Sequence, residues 1–140
     1  MGNCIFCKIA NKEKESNIIL ETNNCLALLA INPVNVGHAL VISKSHFESV
    51  SDAPDEVLTE LIITAKKVGE IAKKELGATA YNILNASGKD AQQSVFHIHF
   101  HVIPKFPDDN LDLWLNGEGV HKIEIGEVLD RYIKGLSNIV

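Results

Sequence analysis

Residues 97–103 read His-Ile-His-Phe-His-Val-Ile, three histidines alternating with apolar residues. Side chains two apart share a face on a strand and do not on a helix, so this run specifies a strand. His97, His99 and His101 then project from one sheet face, while Ile98, Phe100 and Val102 point to the other and need an apolar layer against them. Such an imidazole ladder suits a metal centre, and catalytic zinc sites do place histidines at i and i+2. It also suits a coincidence of a half-buried strand, or a solvated ladder without chemistry, and the neighbouring residues must decide.

The chain has 140 residues, 46% of them hydrophobic, which suits one domain with its own core. We expect a single domain over 1–140. No apolar run reaches a membrane span's length and no signal core follows the N-terminus, so a cytoplasmic protein without membrane partners is expected. A formal charge of −5 without a basic, aromatic-studded stripe argues against a nucleic-acid partner. Three cysteines, an odd count, fit a reducing compartment better than a disulfide framework. Cys25, inside the run Cys25–Ile31, reads as core.

Strands are expected over 18–22, 25–31, 38–43, 79–85 and 94–104. A long amphipathic helix is expected from about Pro54 to Leu76, with Leu58, Leu61, Ile62, Ala65, Val68 and Ala72 on its apolar side. Ser51 or Asp52 would cap it, Asp55 and Glu56 suit its positive end, Lys73 and Lys74 the other, and Gly77 supplies the stop. Ile125, Val128, Leu129, Tyr132, Ile133 and Leu136 suggest a second helix. With hairpin-like strands and one long helix, the fold class is α+β with an antiparallel five-stranded sheet.

Beside the histidine strand lie Asn85-Ala-Ser-Gly88 and Gln92-Gln93-Ser94. Amides, hydroxyls and loop N–H groups of this kind can hold phosphate oxygens in an acidic protein lacking a Lys/Arg cluster. Cys4-x-x-Cys7 is by itself a zinc half-site or a redox pair, with no second Cys-x-x-Cys to complete it.

Together these motifs resemble the histidine triad family of nucleotide hydrolases and transferases, marked by His-φ-His-φ-His-φ-φ with φ apolar. Residues 97–103 match every position. Gln93-Ser94-Val95-Phe96, Cys4-Ile-Phe-Cys-Lys-Ile9 and the stretch from Asn32-Pro33 through Gly37-His38 to Lys44-Ser-His46 extend the similarity to roughly residues 4–105, leaving 106–140 least similar. The resemblance implies one long and one or two short helices on the sheet, and homodimerisation.

It further implies that His99 attacks an α-phosphorus and becomes nucleotidylated, that the main-chain carbonyl of His97 orients it, and that His101 assists the leaving group. Asn85, Gln93 and Ser94 would bind the phosphate or leaving group, and His38 would line the surroundings. Phe6, Ile9, Leu28 and Ile31 would wall the base, or pack the core. Zinc would be structural, held by Cys4, Cys7, His46 and His97, since a closed tetrahedron leaves no position for substrate.

The substrates implied are purine nucleoside phosphoramidates, adenylates or dinucleoside polyphosphates. Relatives resembling galactose-phosphate uridylyltransferases carry Gln at the third triad position, so His101 points to hydrolysis. Ala30 stands where relatives commonly carry an Asp for the ribose hydroxyls, which leaves Asn32 as the nearby acceptor. A non-covalent zinc hydrolase, or a nucleotide-binding scaffold without activity, are the alternative readings. His121, in a glycine-flanked polar stretch, reads as exposed, and Trp114 has no assigned role.

Overall fold

A computed structural model describes residues 2–115 and 124–139, so His121 lies outside the described residues. The elements in chain order are α1 (Ile5–Ala10), β1 (Ile18–Glu21), β2 (Cys25–Leu29), β3 (Ala39–Ser43), α2 (Asp55–Glu75), β4 (Ala80–Leu84), β5 (His99–Lys105) and α3 (Ile125–Ile139), with a short 3-10 turn at Lys89–Ala91. The five strands form one sheet in the order β1-β2-β3-β5-β4, every neighbouring pair antiparallel. This is the expected α+β arrangement, with one long helix.

Alternation divides the core between the two sheet faces. Cys25 and Ala27 of β2, Ala39 and Val41 of β3, and Ile98 and Val102 around β5 pack beneath α2, which contributes Val57, Leu61, Ala65 and Val68. Leu26, Leu28 and Ile42 face the other way and pack with Phe6 and Ile9 of α1. Each fully buried Leu, Ile or Phe side chain contributes about 1.5–3 kcal/mol. Both layers therefore matter, but the α1 layer is thin, and the histidines share its face.

The buried stripe of α2 is Val57, Leu61, Thr64, Ala65, Val68, Gly69 and Ala72, whereas Ile62 is largely exposed. Gly69 is required by close approach: a Cβ there would sit 2.6 Å from the Tyr81 ring of β4. The expected capping by Ser51 or Asp52 does not occur. Pro54 is the N-cap without a side-chain bond, because Asp52 closes its own turn by accepting from the Glu48 N–H at 3.2 Å. Asp55 and Glu56 still occupy the first turn and Lys73 and Lys74 the last. Gly77, at φ +79°, takes the left-handed conformation that ends the helix, and the Ala78 N–H returns to the Ala72 carbonyl at 3.3 Å.

One strand expectation needs correction. β5 begins at His99, not at residue 94, and His97 lies in the bent segment ahead of it. The Ile98 N–H bonds the Phe47 carbonyl at 2.7 Å instead of entering the ladder, so the chain leaves the sheet where the His97 ring turns toward the cysteines. α3 forms as the periodicity of 125–136 indicates, yet none of its residues is buried.

Candidate active site and metal centre

His99 opens β5 opposite Ile42 of β3, and His101 lies opposite Leu40 on one side and Leu84 of β4 on the other. Their rings stand 5.1 Å apart by centroids. His99 Nδ1 lies 2.7 Å from the His97 carbonyl oxygen. A carbonyl can only accept, so Nδ1 carries the proton and Nε2 keeps its lone pair. The same peptide strand is steadied from outside by Asn85, whose Nδ2 donates to the His99 carbonyl at 3.0 Å. Burial lowers the pKa of His99, only partly offset by that bond to His97, so the ring is neutral at pH 7.

His101 has the opposite tautomer, and a chain of hydrogen bonds assigns it. The Val34 N–H donates to His38 Nδ1 at 3.2 Å, which leaves the His38 proton on Nε2. That nitrogen lies 3.0 Å from His101 Nδ1 and donates to it. His101 therefore bears its own proton on Nε2. Burial, then the neighbouring His99 and His38, hold the His101 pKa down to about 4, and burial lowers His38 as well. Two adjacent neutral imidazoles thus present one free lone pair and one free N–H.

Both rings open into a cavity of about 260 Å³. Phe6, Ile9, Leu28 and Ile31, the four residues expected at the base, all line it, as do Asn32, His38 and Ser94. Ile5, Leu29, Leu40 and Val95 also line it and had not been singled out. Leu40 follows from register alone, because it pairs with His101; the others carry no signal apart from hydrophobicity. Phe6, Ile9 and Leu28 are almost wholly buried while Ile31 is 72% exposed, so three wall residues also serve the core. Ala30 borders the cavity beside Asn32, and its N–H bonds the His38 carbonyl at 2.9 Å.

Asn85 and Gln93 both make hydrogen bonds within the protein. Besides its bond to His99, Asn85 accepts at Oδ1 from the Ser87 hydroxyl at 2.8 Å. Gln93 donates to the Glu48 and Val95 carbonyls at 2.6 and 3.0 Å and accepts from the Gly88 N–H at 2.8 Å. Its amide spans the loop between β4 and β5, and from that loop Ser94 is the polar residue at the cavity, beside Val95. Trp114 is 80% exposed. Cys25 is fully buried, and burial first, then the nearby Glu60 carboxylate, push its thiol up to about 12, so it is an inert core residue.

A second cluster lies immediately behind His99. Cys4, Cys7, His46 and His97 place one donor atom each within 4.8 Å of one another, the one such group among the described residues. Cys4 Sγ is 3.3 Å and Cys7 Sγ 3.5 Å from His97 Nδ1, and Cys7 Sγ is 3.2 Å from His46 Nδ1. Zinc bonds of about 2.3 Å to sulfur and about 2.0 Å to nitrogen set the edges of a tetrahedron near 3.5 Å, so these donors fit. The His97 tautomer fits as well: Nε2 donates to the Ser43 carbonyl at 2.7 Å, turning the Nδ1 lone pair toward the sulfurs. Burial raises the Cys7 thiol pKa, and the Cys4 sulfur raises it further, a crowding that a cation relieves. Cys4 also caps α1, accepting from the Cys7 N–H at 3.4 Å.

The comparisons agree with this geometry. The HIT domain family matches residues 11–108. An uncharacterized HIT-like protein of Methanocaldococcus jannaschii is 44% identical over 132 residues, covering 94% of this chain and 99% of its own. The adenosine 5'-monophosphoramidase of Saccharomyces cerevisiae is 44% identical over 102 residues, 73% of this chain and 62% of that protein. Among solved structures, a histidine triad nucleotide-binding protein from Candida albicans superposes with a TM-score of 0.83 at 30% identity, covering 99% of this chain and 100% of that one. A zinc-bound histidine triad family protein from Mycobacterium smegmatis gives 0.77 at 34% identity, covering 84% and 85%. With the three histidines at the start of β5, a family match over residues 11–108 and relatives of this similarity, the chain belongs to the histidine triad (HIT) family.

Proposed function

We propose that this protein is a nucleotide hydrolase that cleaves at the α-phosphate of purine nucleoside phosphoramidates, adenylates or dinucleoside polyphosphates. The observation that carries this reading is the opposed tautomers of His99 and His101 at one apolar cavity. His99 Nε2 attacks the α-phosphorus, the bond from phosphorus to the leaving nitrogen or oxygen breaks, and the leaving atom departs hydrogen-bonded to His101 Nε2–H, taking a proton from water where it needs one. Water then attacks the phosphorus of the nucleotidyl-histidine, its proton passing to solvent, and the bond to His99 Nε2 breaks to release the nucleoside monophosphate. Relatives named adenosine 5'-monophosphoramidase, and a 32% identical Arabidopsis thaliana protein named adenylylsulfatase, support the substrate class.

The apolar wall suits a purine, and Ser94 and Asn32, both lining the cavity, would serve the phosphate and the ribose. Asn85 and Gln93 act by holding the loop and the His99 peptide. Zinc bound by Cys4, Cys7, His46 and His97 would be structural, cross-linking the N-terminal segment to the triad. A catalytic metal is disfavoured by the donor set itself: four protein ligands close the tetrahedron, and His99 Nδ1 is committed to a carbonyl.

The exposed Leu129, Tyr132, Ile133 and Leu136 of α3 support a homodimer in which a second copy covers that helix. No described helix is long and apolar enough to cross a membrane. The deciding experiment mixes the protein with adenosine 5'-phosphoramidate and analyses it by mass spectrometry. A nucleotidyl adduct on His99 is expected; turnover without an adduct would favour a non-covalent route, and binding without turnover a scaffold.

A further inference from the structure

The two histidine clusters share more than His97. α1 carries two donors of the four-residue centre, Cys4 at its cap and Cys7 within it, and between them Phe6. Phe6 stands edge-on to both rings, its centroid 5.7 Å from His97 and 5.1 Å from His99, while also walling the cavity. A six-residue helix is too short to persist by itself. Apart from the donors, α1 is secured by burial of Phe6 and Ile9 and, just beyond it, by the Lys12–Glu21 ion pair at the surface.

We propose that the Cys4/Cys7/His46/His97 centre is a positioning device for the nucleotide pocket, with Phe6 as the positioning residue that links metal occupancy to purine binding. Ligation at Cys4 and Cys7 fixes α1 on both sides of Phe6, and ligation at His97 fixes the residue whose carbonyl holds His99. A purine seated against Phe6 stabilises the same placement of α1. The two ligands therefore favour one arrangement and raise each other's affinity by a common factor. This rests on the nucleotide-site reading above.

The test is a pair of titrations on the full chain. Adenosine 5'-monophosphate binding is measured by calorimetry with zinc loaded and after chelation, with circular dichroism verifying that the chelated protein is folded; zinc affinity is measured by competition with a chromophoric chelator, with and without saturating nucleotide. Nucleotide affinity is expected to fall about 5- to 50-fold without zinc, and zinc affinity to rise by the same factor with nucleotide. In Phe6→Leu, zinc should bind as before while the dependence on nucleotide shrinks to less than about twofold.

Equal nucleotide affinity with and without zinc overturns the coupling and leaves the nucleotide site standing. Failure of the zinc-loaded protein to bind nucleotide overturns the site reading and the coupling with it, as does a failure to bind zinc for the centre. If chelation unfolds the protein, folding alone links the two ligands, and the comparison of Phe6→Leu with wild type decides, with nucleotide held at the same multiple of each protein's own Kd so that the folding contribution is equal in both. Undiminished coupling in Phe6→Leu removes Phe6 from its role.

Discussion

His97 and His99 are two residues apart and are put to opposite uses. Around His97 the donors converge: two sulfurs and a second imidazole lie within a tetrahedron's reach of Nδ1, and Nε2–H is bonded to Ser43, so the ring has no vacancy for a substrate. Around His99 only one nitrogen is engaged, by a carbonyl, and the other faces a cavity shared with His101. The lesson is that imidazole chemistry is assigned by the partner of the second nitrogen. A carbonyl on Nε2 turns the Nδ1 lone pair of His97 toward the sulfurs, as a metal ligand requires; a carbonyl on Nδ1 leaves the Nε2 lone pair of His99 free, as the proposed nucleophile requires.

The strongest way to break this contrast is to remove the nucleophile. His99→Ala should lower kcat by about 10⁴-fold or more while adenosine 5'-monophosphate still binds; a steady-state assay retaining more than a few per cent of wild-type kcat would end the covalent route. Removing the metal should do the reverse. Chelation is expected to lower Tm by roughly 5–15 °C, while protein still folded forms the His99 adduct at saturating substrate. Immediate loss of the adduct in folded protein would make the His97 centre catalytic and erase the distinction.

His38→Ala sharpens the comparison on the side of His101. Without the donor at Nδ1, His101 can carry its proton on either nitrogen, and kcat should fall about 10- to 100-fold. Acid dependence carries a sign. Burial places the His99, His38 and His101 pKa values below the ordinary 6.5, His101 at about 4. The unfolded chain therefore takes up protons first as pH falls. The contribution of His38 and His101 to stability is complete above about pH 6.5 and is lost progressively toward pH 4. Correspondingly, kcat/KM should stay level through pH 6.5 and decline only on its acid side; a decline already half complete at pH 6.5 would mean that the imidazoles are solvated.

The smallest expected effect concerns Ala30. An Asp placed there, at the cavity beside Asn32, should lower KM for a purine nucleotide by roughly 5- to 30-fold, equivalent to about 1–2 kcal/mol from hydrogen bonds to ribose hydroxyls. An unchanged KM would assign the ribose to Asn32 alone.

Much of the architecture was legible because it rests on period. The five strands, α2 with its glycine stop and α3 all lie close to where alternation and helical spacing put them. The start of β5 was not, since alternation continues through His97 while the ladder does not, and only the pull of Cys4, Cys7 and Ser43 on the ring reveals the bend. The same limit applies to the loop before β5. Asn85 and Gln93 look like free phosphate donors in sequence, and only the structure shows that each also bonds the backbone, at the His99 carbonyl and at the Glu48 and Val95 carbonyls. The position of helix α1 was also unannounced: the resemblance implied only that one or two short helices lie on the sheet, six residues being too few for periodicity to register.

By itself the sequence determined which groups are present and how they are spaced: His99 and His101 on one strand face with His97 just ahead of them, two cysteines three residues apart, and an apolar partner face for α2. Those follow from covalent spacing and the fixed repeats of strand and helix. Which nitrogen of each histidine carries the proton was decided only by tertiary structure, because it depends on acceptors and donors far away in the chain, at Ser43 for His97 and at Val34 through His38 for His101. The closeness of Phe6 to both His97 and His99 was decided there too. Proton position is a property of contact, and contact between distant residues has no period to read.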